Sequence, residues 1–287
     1  MNSITHGQSR GTDRLVGTRR VVSVMGTVFT LDLRELDATA AAVDEVVAWW
    51  RWVDDTFSTY RPDSQISRLA TGSVTLVECA PEVRQVLEMC AEAAEISGGL
   101  FTDHPAGHLD PSGMVKGWSV DVASRMLQLA GSQNHCISAG GDVRCIGNPG
   151  PRASWRVGVV DPRDGERLLA IVTAPTTPPH DLAVATSGTS QRGHHILDPV
   201  TALPADELAS ITVIGPDLTL ADWAATAAFA MGHDARTWLD NMEALEGYAV
   251  TPHGDYWCTN GFENLGRLVA EPIQYVTGEH SEESDEH

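Results

Sequence analysis

Residues 109–121 read Leu-Asp-Pro-Ser-Gly-Met-Val-Lys-Gly-Trp-Ser-Val-Asp, and these types at this spacing suit the capture of an anion. Asp110 suits a helix N-cap, its carboxylate accepting free backbone N–H groups of the first turn. Pro111 suits the first helical position, where a missing N–H costs nothing. Ser112, Gly113, Lys116 and Gly117 then line the front of the helix. Small residues admit a ligand to the backbone, the helix start favours negative charge, and Lys116 adds a cation one turn in. The same pattern also describes a plain capped helix whose glycines relieve packing. Further along, Asp222 and Thr226 stand four residues apart and so share one helix face. Both offer the oxygen ligands that Mg2+ prefers, although an Asp in a first helical turn ordinarily just offsets the helix dipole. Tyr60 sits among turn formers at 58–64, where an aromatic ring can stack on a planar ligand or simply rest on the surface.

The elements that must carry these residues follow from apolar spacing. After Pro111, the three- and four-residue recurrence of Val115, Trp118, Val122, Met126 and Leu129 predicts a helix with one apolar face. Residues 39–57 predict another, with Val43, Val46, Val47, Trp50, Val53 and Phe57 on one side and Trp49, Trp50 and Trp52 as core or interface. A third runs over 81–97, opened by Pro81 and ended by Gly98-Gly99. Residues 21–33 predict a strand interrupted at Met25-Gly26-Thr27, and 74–79 a short strand. In 134–146 a strand pattern contains Gly140-Gly141, which suggests a bulge or a backbone approached closely by something else. Residues 154–160 and 167–174 predict a hairpin, and 182–186 and 209–214 further strands. Thr219 is expected to cap a helix over 220–231 closed by Gly232; a helix over 236–246 and a hairpin over 247–259 follow.

Composition narrows the function. The 287 residues carry 39 acidic and 19 basic side chains, a formal charge of −20. That opposes binding to nucleic acid or an anionic membrane, which needs Lys and Arg against phosphates, but not one phosphate-bearing ligand in a local pocket. Five scattered cysteines form no C-x-x-C and suggest free thiols in a reducing compartment. Residues 1–20 are polar without an apolar h-region, and no run of about 18 apolar residues could span a bilayer. A cytoplasmic protein without membrane insertion is expected. Residues 1–18 read as a flexible lead-in, 19–277 as one domain, and 278–287 as a disordered acidic tail.

Six motifs then occur in one order: Tyr60-Arg61-Pro62-Asp63-Ser64 with Ile66-Ser67-Arg68-Leu69; Asp110-x-x-Gly-x-x-Lys116-Gly117; Ala139-Gly140-Gly141-Asp142; Thr186-Ser187-Gly188; His195-Ile196-Leu197-Asp198-Pro199; and Ala221-Asp222-x-x-x-Thr226-Ala227. This order resembles the FAD:protein FMN transferases, the ApbE family. The resemblance implies an α+β fold, a single T-fold-like domain of antiparallel sheets with flanking helices. It implies cleavage of FAD with Mg2+, attachment of FMN through a phosphoester to a Thr or Ser of a target protein, and release of AMP. FAD hydrolysis to FMN and AMP, or FAD binding without turnover, are the alternatives. By the resemblance, Mg2+ rests on Asp222, Thr226 and the carbonyl of Gly113. FAD meets Met25, Tyr60, Leu100, Phe101, Thr102, Asp110, Lys116, Gly140, Gly141, Asp142, His195 and Ile196. His195 and Asp222 take the catalytic roles, His195 as general base because an imidazole titrates near neutrality. Two motifs depart from the family's pattern: Thr102 stands where Asp is usual, with Asp103 one place late, and Thr201-Ala202-Leu203-Pro204 replaces Thr-Gly-x-Pro.

Overall fold

In the computed structural model, residues 17–34, 40–189, 199 and 203–269 are described. Residues 1–16 of the expected lead-in, the acidic tail 278–287, His195 and Ile196 lie outside them. The run at 21–33 is two strands, β1 (Thr18–Val24) and β2 (Thr27–Leu33), paired antiparallel through Met25-Gly26. Both turn residues take positive φ, 51° and 68°, the geometry of a tight two-residue hairpin. The same correction applies at 134–146. Gly140 and Gly141, with φ of 59° and 102°, are a turn between β3 (His135–Ala139) and β4 (Asp142–Ile146), not a bulge within one strand.

Among the described residues four α-helices fall before β3: α1 (Ala40–Phe57), α2 (Gln65–Ala70), α3 (Pro81–Ile96) and α4 (Ser112–Leu129). Val43, Val46, Val47, Trp50, Val53 and Phe57 of α1 are all buried, as their spacing predicts. Trp49 stacks on Trp52 and meets Trp118 edge-on, with centroids 5.2 and 5.3 Å apart, so these rings are core. Residues 74–79 are not a strand: Leu76–Glu78 is a 3-10 turn, because Glu78 Oε2 accepts the Thr75 N–H at 2.8 Å and closes a capping box. On α4 the single-face expectation fails. Leu129 is 89% exposed, whereas Met114, Gly117, Ser119, Val120, Asp121 and Ala123 are buried beside Val115 and Trp118. The helix is enclosed on several sides, so no simple stripe marks it.

The remaining strands are β5 (Arg156–Asp161), β6 (Asp164–Thr173), β7 (Leu182–Gly188), β8 (Ser210–Gly215), β9 (Glu246–Val250), β10 (Tyr256–Cys258) and β11 (Gly266–Leu268). With β1–β4 they build an eight-stranded sheet, ordered β1-β2-β3-β4-β7-β8-β9-β10, and a three-stranded sheet, ordered β11-β6-β5. Strand β7 shows how the layers share the large sheet. Its Ala183 and Ala185 face the core formed with the helices, while Leu182 and Val184 face the core formed with the small sheet, as the two-residue period requires. The architecture is α+β, with antiparallel sheets and flanking helices. Among the described residues no helix is long and apolar enough to cross a membrane. All five cysteines are free, and Cys136 and Cys145 face each other across β3 and β4 with Sγ atoms 3.3 Å apart.

Two helices follow β8: α5 (Leu218–Met231) and α6 (Ala235–Asp240). The latter ends well before residue 246, where β9 begins. The cap of α5 is Asp217 rather than Thr219, its Oδ1 accepting the Leu220 N–H at 2.8 Å. Thr219 falls inside the first turn because an Asp two residues earlier already satisfies the cap. Asp217→Ala is expected to lower stability by about 1 kcal/mol, read as a lower thermal midpoint.

Candidate functional site

The N-terminal parts of α4 and α5 meet at Gly117. A Cβ built there would stand 2.5 Å from the Leu218 carbonyl oxygen and 2.9 Å from Asp222 Cβ, so only a hydrogen permits this approach. The contact carries a bond: Gly117 N–H donates to Asp222 Oδ2 at 2.9 Å. One residue earlier, Lys116 Nζ lies 3.1 Å from Asp222 Oδ1 and also pairs with Asp142 Oδ2. Asp142 opens β4 directly after the Gly140-Gly141 turn, and its Oδ1 accepts the Thr186 N–H of β7 at 2.9 Å. Thr186 Oγ1 is in turn 2.8 Å from Thr212 Oγ1 on β8.

Gly117→Ala sets two effects against each other. Helix propensity favours Ala by about 1 kcal/mol, but the new Cβ would strike backbone that cannot rotate away. Overpacking of this kind costs about 1–3 kcal/mol, so net destabilisation is expected, and displacement of α5 should weaken whatever Asp222 binds. A Gly117→Ala protein with a wild-type or higher thermal midpoint would show that the helices have room to part.

One ammonium here serves two buried carboxylates. Burial works against the Lys116 charge, but the attraction of Asp142 and Asp222 outweighs it and holds the ammonium above its ordinary pKa. For Asp222 burial is the largest influence; Lys116 pulls the other way, Asp142 repels, and the carboxyl ends well above the usual carboxylate range. Asp222 is therefore left short of positive charge. Beside it on α5, Thr226 Oγ1 donates to the Asp222 carbonyl at 3.2 Å. Across the helix contact, a Cβ built on Gly113 would lie 3.8 Å from Thr226 Oγ1. The Asp222 carboxylate and the Thr226 hydroxyl of α5 thus face the first turns of α4, and oxygen donors beside an under-compensated carboxylate are the kind a hard divalent cation such as Mg2+ prefers. Among the described residues no three His, Cys, Asp or Glu side chains group as a metal cluster.

Leu100, Phe101, Thr102 and Asp110 lie on the approach to α4, and Met25, Gly140 and Gly141 lie in turns of the large sheet. Asp110 precedes α4, and Pro111, not Asp110, is the formal cap because the helix begins at Ser112. The Asp110 carboxylate nevertheless accepts the Ser112 N–H at 3.0 Å. Phe101 is buried, 3.2 Å by its Cε2 from a Cβ built on Gly113 and edge-on to Trp223 at 6.1 Å. Leu100 and Thr102 flank it half-buried, and Thr102 Oγ1 accepts the His104 N–H at 3.0 Å. The Met25 turn and the Gly140 turn share one end of the large sheet, where Gly140 N–H donates to the Val28 carbonyl at 3.2 Å. Tyr60 is 95% exposed and so packs against none of these residues. The sequence did not reveal that Lys116 pairs with Asp142, nor that Thr186 fixes Asp142, because both contacts join residues at least 26 positions apart.

Residues 25–108 and 102–249 match the ApbE family, and the chain belongs to that family. It is 32% identical over 144 residues to the FAD:protein FMN transferase of Vibrio cholerae, covering 47% of this chain and 42% of that protein. With the FAD:protein FMN transferase of Rhodobacter capsulatus it shares 30% identity over 198 residues, 66% of this chain and 34% of that one. The matched stretch is thus less than half the length of either relative. The fold is that of the ApbE protein of Thermotoga maritima, whose crystal structure matches with a TM-score of 0.78 at 22% identity over 88% of this chain and 100% of that one. The apo flavinyl transferase ApbE of Pseudomonas stutzeri matches with a TM-score of 0.74 at 20% identity, over 87% and 96%.

Proposed function

We propose that this chain transfers FMN from FAD to a Thr or Ser hydroxyl of a partner protein, in a Mg2+-dependent reaction that releases AMP. Membership of the ApbE family and relatives named for this activity support the reading. The observation that carries it is the meeting of Lys116, Asp142 and Asp222 at the contact of α4 with α5, beside Gly113 and Thr226. Asp222, Thr226 and the Gly113 carbonyl would hold Mg2+, which when bound supplies positive charge to the pyrophosphate oxygens of FAD.

The acceptor hydroxyl oxygen bonds to the phosphorus of the FMN half while that phosphorus loses its bond to the bridging oxygen. AMP leaves with that oxygen and the bonding electron pair, and the hydroxyl proton passes to a base, the role given to His195. Lys116, held protonated by its two carboxylates, sets a fixed cation against the phosphate oxygens, and Asp142, anchored by Thr186, aims it. The Gly140-Gly141 turn, in which Gly140 packs closely on Thr27, leads directly into Asp142, and the helix start after Asp110 favours the negative charge of a dinucleotide. Met25, Tyr60 and Leu100–Thr102 take the flavin side, and Ile196 is assigned to FAD as well.

The test is to incubate the full chain with FAD and Mg2+, with and without cell extract, and to follow AMP and flavin. AMP together with a flavin-fluorescent protein band on a denaturing gel, both lost on chelation, is the expected result. AMP with an equal yield of free FMN would replace transfer by hydrolysis. Intact FAD bound without AMP would overturn the enzymatic reading.

A further inference from the structure

We infer that Asp121 is the positioning residue for Asp222: it locks α5 to α4 at one height and so fixes where the Asp222 carboxylate stands. Asp121 lies one turn beyond Gly117 on α4, and Leu218 and Thr219 lie one turn before Asp222 on α5. Asp121 Oδ1 accepts the Leu218 N–H at 3.2 Å, while Oδ2 accepts the Thr219 N–H at 2.7 Å and the Thr219 hydroxyl at 2.5 Å. The helices are therefore pinned at two successive turns, by Gly117 with Asp222 and by Asp121 with Leu218 and Thr219. One pin alone would leave α5 free to slide or pivot; two remove that freedom.

Arg144 of β4 ties this clamp to the sheet. Its Nε lies 3.3 Å from Asp121 Oδ1, its Nη1 donates to the Pro216 carbonyl at 2.8 Å, and its Nη2 reaches Asp181 Oδ2 at 3.4 Å. Both Asp121 and Arg144 are buried, and taking a charged pair out of water is costly unless its partners offset it. Asp217 takes only the Leu220 N–H, and Asp121 takes the two first-turn donors before it. What a carboxylate from a second helix adds is registry. The Gly117 contact has no slack in which to absorb a shift of α5, and a misplacement of about 1 Å can cost about a hundredfold in rate.

Full-length Asp121→Ala and Asp121→Asn separate positioning from capping when compared with Asp217→Ala. The first readout is the Gly117 amide proton resonance, which senses the bond to Asp222 Oδ2 with no metal or FAD present. The second is Mn2+ binding by electron paramagnetic resonance; this arm alone rests on Asp222 being a metal ligand. Asp121→Ala is expected to move the Gly117 resonance upfield and to weaken Mn2+ binding by about 10-fold or more, as loss of an outer-shell partner does. Asp121→Asn, which keeps one acceptor oxygen, shifts both in the same direction by less, and decides the matter if the Ala variant does not fold. Asp217→Ala lowers the thermal midpoint and leaves both readouts in place. Wild-type Gly117 resonances in the Asp121 variants overturn the inference, as does an Asp217→Ala protein that moves both readouts equally, since Asp121 would then be an ordinary cap. A wild-type chain that binds no Mn2+ sinks the metal assignment instead, while the Gly117 readout still decides the role of Asp121.

Discussion

Asp222→Ala is expected to lower AMP release by about a thousandfold, about 4 kcal/mol of transition-state stabilisation, while leaving the fold intact. The fold survives because the native carboxylate is a burden. Burial raises its pKa to about 7, against about 4 in an unfolded chain. The native state therefore binds more protons than the unfolded state between those values, and stability of the metal-free protein falls as pH rises through that window. Ala removes this slope, and Lys116 keeps Asp142 as a partner. Thermal melts of both metal-free proteins across pH 4–8 check the sign: the variant's midpoint should gain on the wild type's as pH rises. The same protonation predicts how metal binding titrates. A proton must leave Asp222 before a cation can be held, so below about pH 7 apparent Mg2+ affinity should drop by about tenfold per pH unit. Calorimetric affinities that stay flat from pH 5 to 8 would remove Asp222 from the ligand set, and full AMP release by Asp222→Ala would falsify its catalytic role outright.

The legible part of this chain was the part written in local periodicity. All six apolar positions read on α1 are buried, and β7 and β8 lie where their apolar runs place them. Two turns were misread, at Met25-Gly26 and Gly140-Gly141, since a glycine inside an alternating run signals an irregularity without saying whether the chain reverses. The enclosed helix α4 misled for another reason. A helix buried on several sides has no stripe, and the spacing of Leu129 looked apolar-facing although the residue is 89% exposed. At the site, motif order placed Lys116, Asp142 and Asp222 together as family positions, but their ion pairing spans 26 to 106 positions along the chain and follows from sheet and helix packing rather than from any local pattern. Asp121 shows the limit well. It stands in the opening motif as one more polar residue after an apolar one, and its partners at Leu218 and Thr219 appear only once α5 is laid across α4.

Lys116→Met carries the second large effect, and it runs through stability as well as activity. Removing the ammonium leaves Asp142 and Asp222 buried side by side with no counter-charge between them. Breaking a buried ion pair from one side costs about 3–5 kcal/mol, and proton uptake by Asp222 should hold the loss to the lower part of that range near neutrality. A divalent cation can repay some of it, because two facing carboxylates are then free to share one. The thermal midpoint of Lys116→Met should therefore rise on addition of Mg2+ by more than that of the wild type, whose site already contains a fixed cation. Activity should move the other way: without the ammonium against the phosphate oxygens, AMP release should fall by about a hundredfold or more even at saturating Mg2+. Opposed shifts of metal response and turnover are what distinguish a shared counter-ion from a lysine that merely fills space. If the variant melts like the wild type in metal-free buffer, the two carboxylates were never relying on Lys116.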